Sequence, residues 1–200
     1  MVVFLNGRFV AGEAARISIL DRGFLYGDGL FETLRIIGGR PHAWEAHLER
    51  LERGAAFLKL RPPLTALEMR RAVEQLVLRN SLPDSVLRLT LTRGPGPRGY
   101  SPKNADSPTL LMTMHPVPAT KPRGLRLVTS SFRLAAADPL AQFKTCNKLV
   151  HVLARAEAEA RGADDALLLN TRGRLAEATS SNLSGSRAAF SGRLRTGAAR

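Results

Sequence analysis

The sequence is poor in cysteine, in aromatic residues and in negative charge. Cys146 is the single cysteine among 200 residues, so no disulfide can form within the chain. Phe, Trp and Tyr make up 6%, which is poor provision for stacking on nucleic-acid bases. Asp and Glu number 17 against 30 Lys and Arg, a net charge of +13. Such a balance would suit a polyanion, but the arginines are scattered and form no long basic block. No nucleic-acid partner is expected, whereas small anionic substrates would suit the chain. Long apolar runs are missing too. The start, "MVVFLNGRFV", is too short an apolar stretch for a signal peptide, and no stretch is long enough to span a bilayer. The expectation is a cytoplasmic protein without a membrane partner. His42, His47, His115 and His151 lack metal-ligand spacing, so no metal is expected.

What remains is ordinary globular material, with 44% apolar and 24% charged residues. "VVFLNGRFV" reads as a hairpin around Asn6-Gly7. "ISIL" is strand-like and runs into a loop rich in Asp and Gly. "LFETLRII" reads as a strand closed by Gly38-Gly39. Trp44, Leu48, Leu51, Ala55 and Leu58 recur at helical steps. Pro62-Pro63 ends that helix. A second helix follows, with Thr65 as N-cap and Glu68 three residues on. "SVLRLTLTR" and "TLLMTMH" are strands joined by "RGPGPRGYS". After them come "LRLVTS" as a strand, a helix reaching about Arg161, the strand "DALLL" and the segment "LAEATSSNL".

This order predicts an α/β (α+β) protein of two units. Residues 1–115 would form a small N-terminal α/β domain. Residues 116–124, "PVPATKPRG", with three prolines and no periodicity, would be the linker. Residues 125–183 would be the second domain. Residues 184–200, without any acidic residue, read as a basic, disordered tail.

The chemistry-bearing residues gain meaning together. "FKTCNKL" places Lys144 just before a helix. Glu177 lies near the end of a predicted strand, one helix and one strand later. "TSSN" then offers hydroxyls and amides to an anion. Arg50 sits about 100° around the helical wheel from Leu51, at the edge of the buried stripe, where it could bind a phosphate through two donors. Alone, each has a plainer reading: a solvated cap, a Ser/Thr turn, a surface arginine. A lysine amine, a carboxylate and a phosphate-binding set are together what pyridoxal 5'-phosphate requires.

The stretches "DRGFLYGDGLFETLR", "HLERL" and "FKTCNKLVHVLARAEAEARGADDALLLNTRGRLAEATSSNL" carry a resemblance, over roughly residues 3–183, to the class IV aminotransferase family of fold type IV pyridoxal-phosphate enzymes. That family includes branched-chain and D-amino-acid aminotransferases and 4-amino-4-deoxychorismate lyase. The resemblance implies a two-domain architecture, usually a homodimer, and a small anionic substrate bearing an amino group. It implies Lys144 as the Schiff-base lysine and catalytic base. Arg50 would bind the phosphate, Glu177 would pair with the pyridine nitrogen, and Ser180 and Ser181 would lie on the phosphate side. Phe31 and Arg35 fall on the strand facing the substrate, and Arg98, in "RGPGPRGYS", is placed to meet a carboxylate. That loop and the basic Lys148 after Asn147 tilt the reading toward the lyase, which forms 4-aminobenzoate and pyruvate. The alternatives are an aminotransferase for branched-chain or D-amino acids, or an inactive fragment serving as an interface module. After Leu183 the family pattern is not followed, so a C-terminally truncated second domain with weak cofactor binding is expected.

Overall fold

The structure is a computed structural model, which describes residues 1–119 and 124–183. Residues 184–200, read from sequence as a tail, and residues 120–123 of the proposed linker lie outside the described residues. Contacts divide the chain into two units. Unit 1 is Met1–Ala119 with Leu140–Asn147; the described residues of 124–139 and 148–183 belong to unit 2. The segment bearing Lys144 thus belongs to unit 1, although a linear division at 116–124 assigns it to the second domain.

Unit 1 is built on an antiparallel sheet. β1 (Val2–Leu5) and β2 (Arg8–Ala11) form the hairpin. Asn6 and Gly7 have φ of +48° and +86°, the left-handed pair that a tight two-residue turn demands. α1 (Arg22–Tyr26) follows, then β3 (Gly29–Ile37) and β4 (Arg40–Pro41). Next come α2 (Trp44–Leu58), α3 (Ala66–Asn80), β5 (Ser85–Thr92) and β6 (Thr109–Pro116). The strand order is β2-β1-β6-β5-β3-β4.

Alternation along the strands decides which face is dry. Leu30, Leu34 and Ile36 of β3, Leu87, Leu89 and Leu91 of β5, and Leu110, Met112 and Met114 of β6 are all buried in one cluster. They pack against Trp44, Leu48, Leu51 and Ala55 of α2 and Met69, Val73, Leu76 and Val77 of α3. The three- and four-residue spacing of those helical positions produces one apolar stripe on each helix. Thr65 opens α3 with a complete capping box: its hydroxyl accepts from the Glu68 amide, and the Glu68 carboxylate accepts from the Thr65 amide.

Two local expectations fail. "ISIL" forms no strand; Ile17, Ile19 and Leu20 are exposed and pair with no strand among the described residues. The Asp/Gly-rich stretch is not all loop, because Asp21 caps the short helix α1 by accepting from the Gly23 amide at 2.8 Å.

Unit 2 contains β7 (Leu127–Leu134), α4 (Leu149–Ala160), β8 (Asp165–Asn170) and β9 (Leu175–Ala178). β7 runs parallel to β8, and β9 antiparallel to it. Ala154 and Ala158, one helical turn apart, pack with Ala166 and Leu168 in a small core. Glu157 ties α4 to β7 by accepting from the Ser130 hydroxyl at 2.8 Å and the Ser131 amide at 2.9 Å. Among the described residues no helix is long and apolar enough to cross a membrane.

Candidate active site

The segment around Lys144 extends the edge of β3. The Phe31 amide donates to the Lys144 carbonyl at 2.8 Å, and the Cys146 amide to the Gly29 carbonyl at 2.9 Å. Leu30 and Thr145 form an antiparallel bridge between these bonds. This register puts Lys144 on the Phe31 side of β3, with its Nζ 5.0 Å from the Phe31 ring centroid. The Arg88 guanidinium lies 4.1 Å from the same centroid. Two cations therefore share one aromatic ring, each attracted by its π-electrons. Asn147 anchors the far end: its Nδ2 donates to the Gly27 carbonyl at 3.3 Å.

One residue along β3, Glu32 points to the opposite, helix-covered face. It is 2% exposed, a lone carboxylate at a position parity assigns to the core. Arg50 of α2 resolves the problem with two parallel bonds, Nε to Oε1 and Nη2 to Oε2, both 2.6 Å. His47, one turn earlier, places Nδ1 2.8 Å from Glu32 Oε2. The hydrogen bonds to Glu32, opposed by burial and aided by its charge, raise the Arg50 guanidinium above its ordinary value. The sequence indicated Arg50 as open to a phosphate, whereas the structure shows it already held by Glu32. Its side chain stays one-third exposed, and among the described residues no hydrogen bond engages Nη1.

Arg35 is exposed on the Phe31 face of β3, and Arg98 is exposed in the loop joining β5 to β6. In unit 2, Glu177 stands opposite Leu168 of β8, and its Oε1 lies 2.8 Å from His151 Nε2 on α4. Ser180 and Ser181 are exposed just beyond β9. The backbone turns there, with the Ala178 amide donating to the Ser181 carbonyl at 3.2 Å. The Thr179 hydroxyl donates to Asp165, so this member of the hydroxyl-rich turn is committed within the unit.

Unit 1 therefore holds Lys144, Phe31 and Arg35 on one face of β3, Arg50 on the opposite, helix-covered face and Arg98 in the loop after β5, and unit 2 holds Glu177, Ser180 and Ser181. The set offers a primary amine over an aromatic ring, an arginine with an unengaged Nη, a carboxylate and two exposed hydroxyls. Unit 1 thus has donor types suited to an aldehyde and a phosphate, and unit 2 has donor types suited to a pyridine nitrogen and a phosphate, so the residue types of each unit fit the cofactor. Sequence reading missed Glu32, His47, Arg88 and His151. Glu32 had a visible signal, a carboxylate in step with Leu30, Leu34 and Ile36; the others are recognisable only through their partners.

The chain is similar to known proteins over most of its length. Residues 29–187 match the family described as amino-transferase class IV. A Methanocaldococcus jannaschii protein assigned as a branched-chain-amino-acid aminotransferase is 37% identical over 185 residues, 92% of this chain and 64% of that protein. The crystal structure of 4-amino-4-deoxychorismate lyase from Pseudomonas aeruginosa is 39% identical, with a TM-score of 0.76 over 88% of this chain and 64% of that one. A Mycobacterium tuberculosis structure described as a hypothetical aminotransferase in its PLP-bound form is 29% identical, with a TM-score of 0.77 over 90% and 65%. The chain thus spans less than two thirds of the length of these relatives. Its mixed α/β fold is that of the fold type IV pyridoxal-phosphate enzymes, a family of transaminases and lyases whose members bind pyridoxal phosphate. The chain belongs to the class IV aminotransferase family.

Proposed function

We propose that this chain carries the reacting lysine of a pyridoxal-phosphate enzyme acting as 4-amino-4-deoxychorismate lyase. The observation supporting a cofactor site is the placement of Lys144 by the edge of β3, with its amine over the Phe31 ring. In this reading Lys144 would hold the cofactor through its amine and would take the proton from the substrate carbon that bears the amino group. Arg50, oriented by Glu32, turns its remaining Nη to the phosphate. The exposed Ser180 and Ser181 are the unit 2 hydroxyls available to a phosphate. Glu177, oriented by His151, would accept from the pyridinium N–H. The bound cofactor supplies a protonated ring that withdraws electrons from the substrate carbon. Phe31 and Arg35 line the substrate side, and Arg98 meets a substrate carboxylate. Elimination breaks the C–O bond to the enolpyruvyl group, which leaves as pyruvate. With the proton that Lys144 takes already gone, breaking this bond leaves the ring aromatic as 4-aminobenzoate, and the departing enolpyruvate takes up a proton to become pyruvate, so no oxidant is needed.

The 39% identity to the Pseudomonas aeruginosa lyase favours this reading. The 37% identity to the Methanocaldococcus jannaschii aminotransferase supports a second one, amino transfer on branched-chain amino acids, with D-amino acids as its variant. A homodimer is proposed with either activity. The test supplies aminodeoxychorismate to the chain with pyridoxal phosphate and measures pyruvate and 4-aminobenzoate in equal amounts. Amino transfer that depends on a 2-oxo acid, without pyruvate from aminodeoxychorismate, selects the second reading. Neither product means that the chain as it stands is an inactive fragment.

A further inference from the structure

"DRGFLYGDG", residues 21–29, has no role in the chemistry above, yet most of its polar groups are committed to one neighbouring loop. We propose that this segment is a clamp that sets the position of Arg98, with Arg22 and Tyr26 as its positioning residues. The proposal rests on the reading of Arg98 as the group that meets a substrate carboxylate.

The clamp grips the loop at its base and at its tip. Asp21 is 1% exposed and accepts from the Thr92 hydroxyl at 3.0 Å and the Thr109 hydroxyl at 2.6 Å. Those threonines are the end of β5 and the start of β6, the two feet of the loop. The Arg22 amide donates to the Gly94 carbonyl at 2.9 Å. Its guanidinium, buried at 3% exposure, donates to the Gly99 carbonyl at 2.8 Å and the Tyr100 carbonyl at 3.1 Å. The Tyr26 hydroxyl accepts from the Gly99 amide at 3.1 Å. Its ring meets Tyr100 edge to face, with centroids 5.4 Å apart. Asp28 holds Arg22 in place through Nε at 2.9 Å and receives Arg93 through Nε at 2.7 Å.

Both peptide groups of Gly99 and the next carbonyl are therefore fixed, directly after an arginine whose own side chain is exposed. Anchoring the loop for stability alone would be met at its feet. Fastening the two residues beyond Arg98 instead determines where its guanidinium is presented. Close approach is required as well: a Cβ on Gly96 would lie 2.9 Å from Arg22 Cδ. The far end of the same segment holds the lysine strand, through Gly27 to Asn147 and Gly29 to Cys146. One short segment thus fixes both the Arg98 loop and the strand that carries Lys144.

The experiment uses the full chain and the variants Tyr26→Phe and Arg22→Lys. Tyr26→Phe removes one acceptor and little volume, so it keeps the fold. Loop order is read as the rate of tryptic cleavage after Arg98, relative to cleavage after Arg172 in the exposed turn of unit 2. Loss of one hydrogen bond predicts about two- to tenfold faster relative cleavage in Tyr26→Phe, and more in Arg22→Lys. In the enzyme assay KM for the carboxylate substrate rises by a similar factor while kcat and cofactor labelling of Lys144 stay near wild type. Unchanged cleavage, or a fall in kcat with KM unchanged, overturns the clamp. If the wild-type chain takes no cofactor on Lys144, the functional reading fails separately, and the cleavage rates still decide whether the loop is clamped.

Discussion

Replacing Glu32 by Gln tests how Arg50 is held. Glu32 is 2% exposed and accepts from Arg50 at 2.6 and 2.6 Å, with His47 Nδ1 at 2.8 Å. The amide keeps the volume but offers one acceptor and turns its own donors toward Arg50. Breaking a buried ion pair costs about 3–5 kcal/mol. Arg50 is one-third exposed, so water screens the charge left behind, and about 2–3 kcal/mol is the expected loss. For a chain of this size that lowers Tm by about 4–12 °C. Trp44, buried in the unit 1 core and the only tryptophan, reports the unfolding by fluorescence in urea. Glu32→Gln, Arg50→Met and the double variant complete a cycle, in which the double variant is less destabilised than the sum by about 2 kcal/mol. Additive losses, or a Glu32→Gln midpoint equal to wild type, refute the pairing.

Two further perturbations follow from unit 1. Burial alone would raise the Asp28 carboxyl, but hydrogen bonds and charge from Arg93 and Arg22 outweigh it and hold the group below its ordinary value. Its stabilisation is thus present above the unfolded value and is lost as pH falls through the folded one. Asp28→Asn is expected to be less stable than wild type by about 2 kcal/mol at pH 7, with the gap closing below about pH 4; urea midpoints across pH check this, and a constant gap contradicts it. Gly94 has φ of +78°, and a Cβ there would lie 1.7 Å from the Ser107 carbonyl oxygen. Gly94→Ala must therefore move the backbone where β5 leaves the sheet, and a loss of more than about 2 kcal/mol is expected; a Trp44-monitored midpoint equal to wild type contradicts it.

Much of this fold is readable in periodicity. The α2 and α3 stripes, the Thr65–Glu68 cap, the Asn6-Gly7 hairpin and the alternation along β3 and β5 each follow from local rules. "ISIL" misleads because its residues have strand propensity but no neighbouring strand among the described residues, and propensity does not supply pairing. Lys144, Arg50 and Glu177 were legible as motif residues. The placement of Lys144 on β3 was not, because the Leu30–Thr145 bridge joins positions over a hundred residues apart. Nor was the grip of Glu32 on Arg50: it depends on α2 lying over the face that Glu32 shares with the leucines. The DRGFLYGDG segment looked like a glycine-rich loop, since its partners in residues 92–109 show only once the sheet is assembled.

The central claim is that Lys144 is the covalent site for pyridoxal phosphate. The chain is incubated with the cofactor, reduced with borohydride, digested and mapped by mass spectrometry. The account predicts one phosphopyridoxyl group, on Lys144, that is lost in Lys144→Ala and reduced in Arg50→Met. Label on Lys148 instead, or an unlabelled chain, contradicts it.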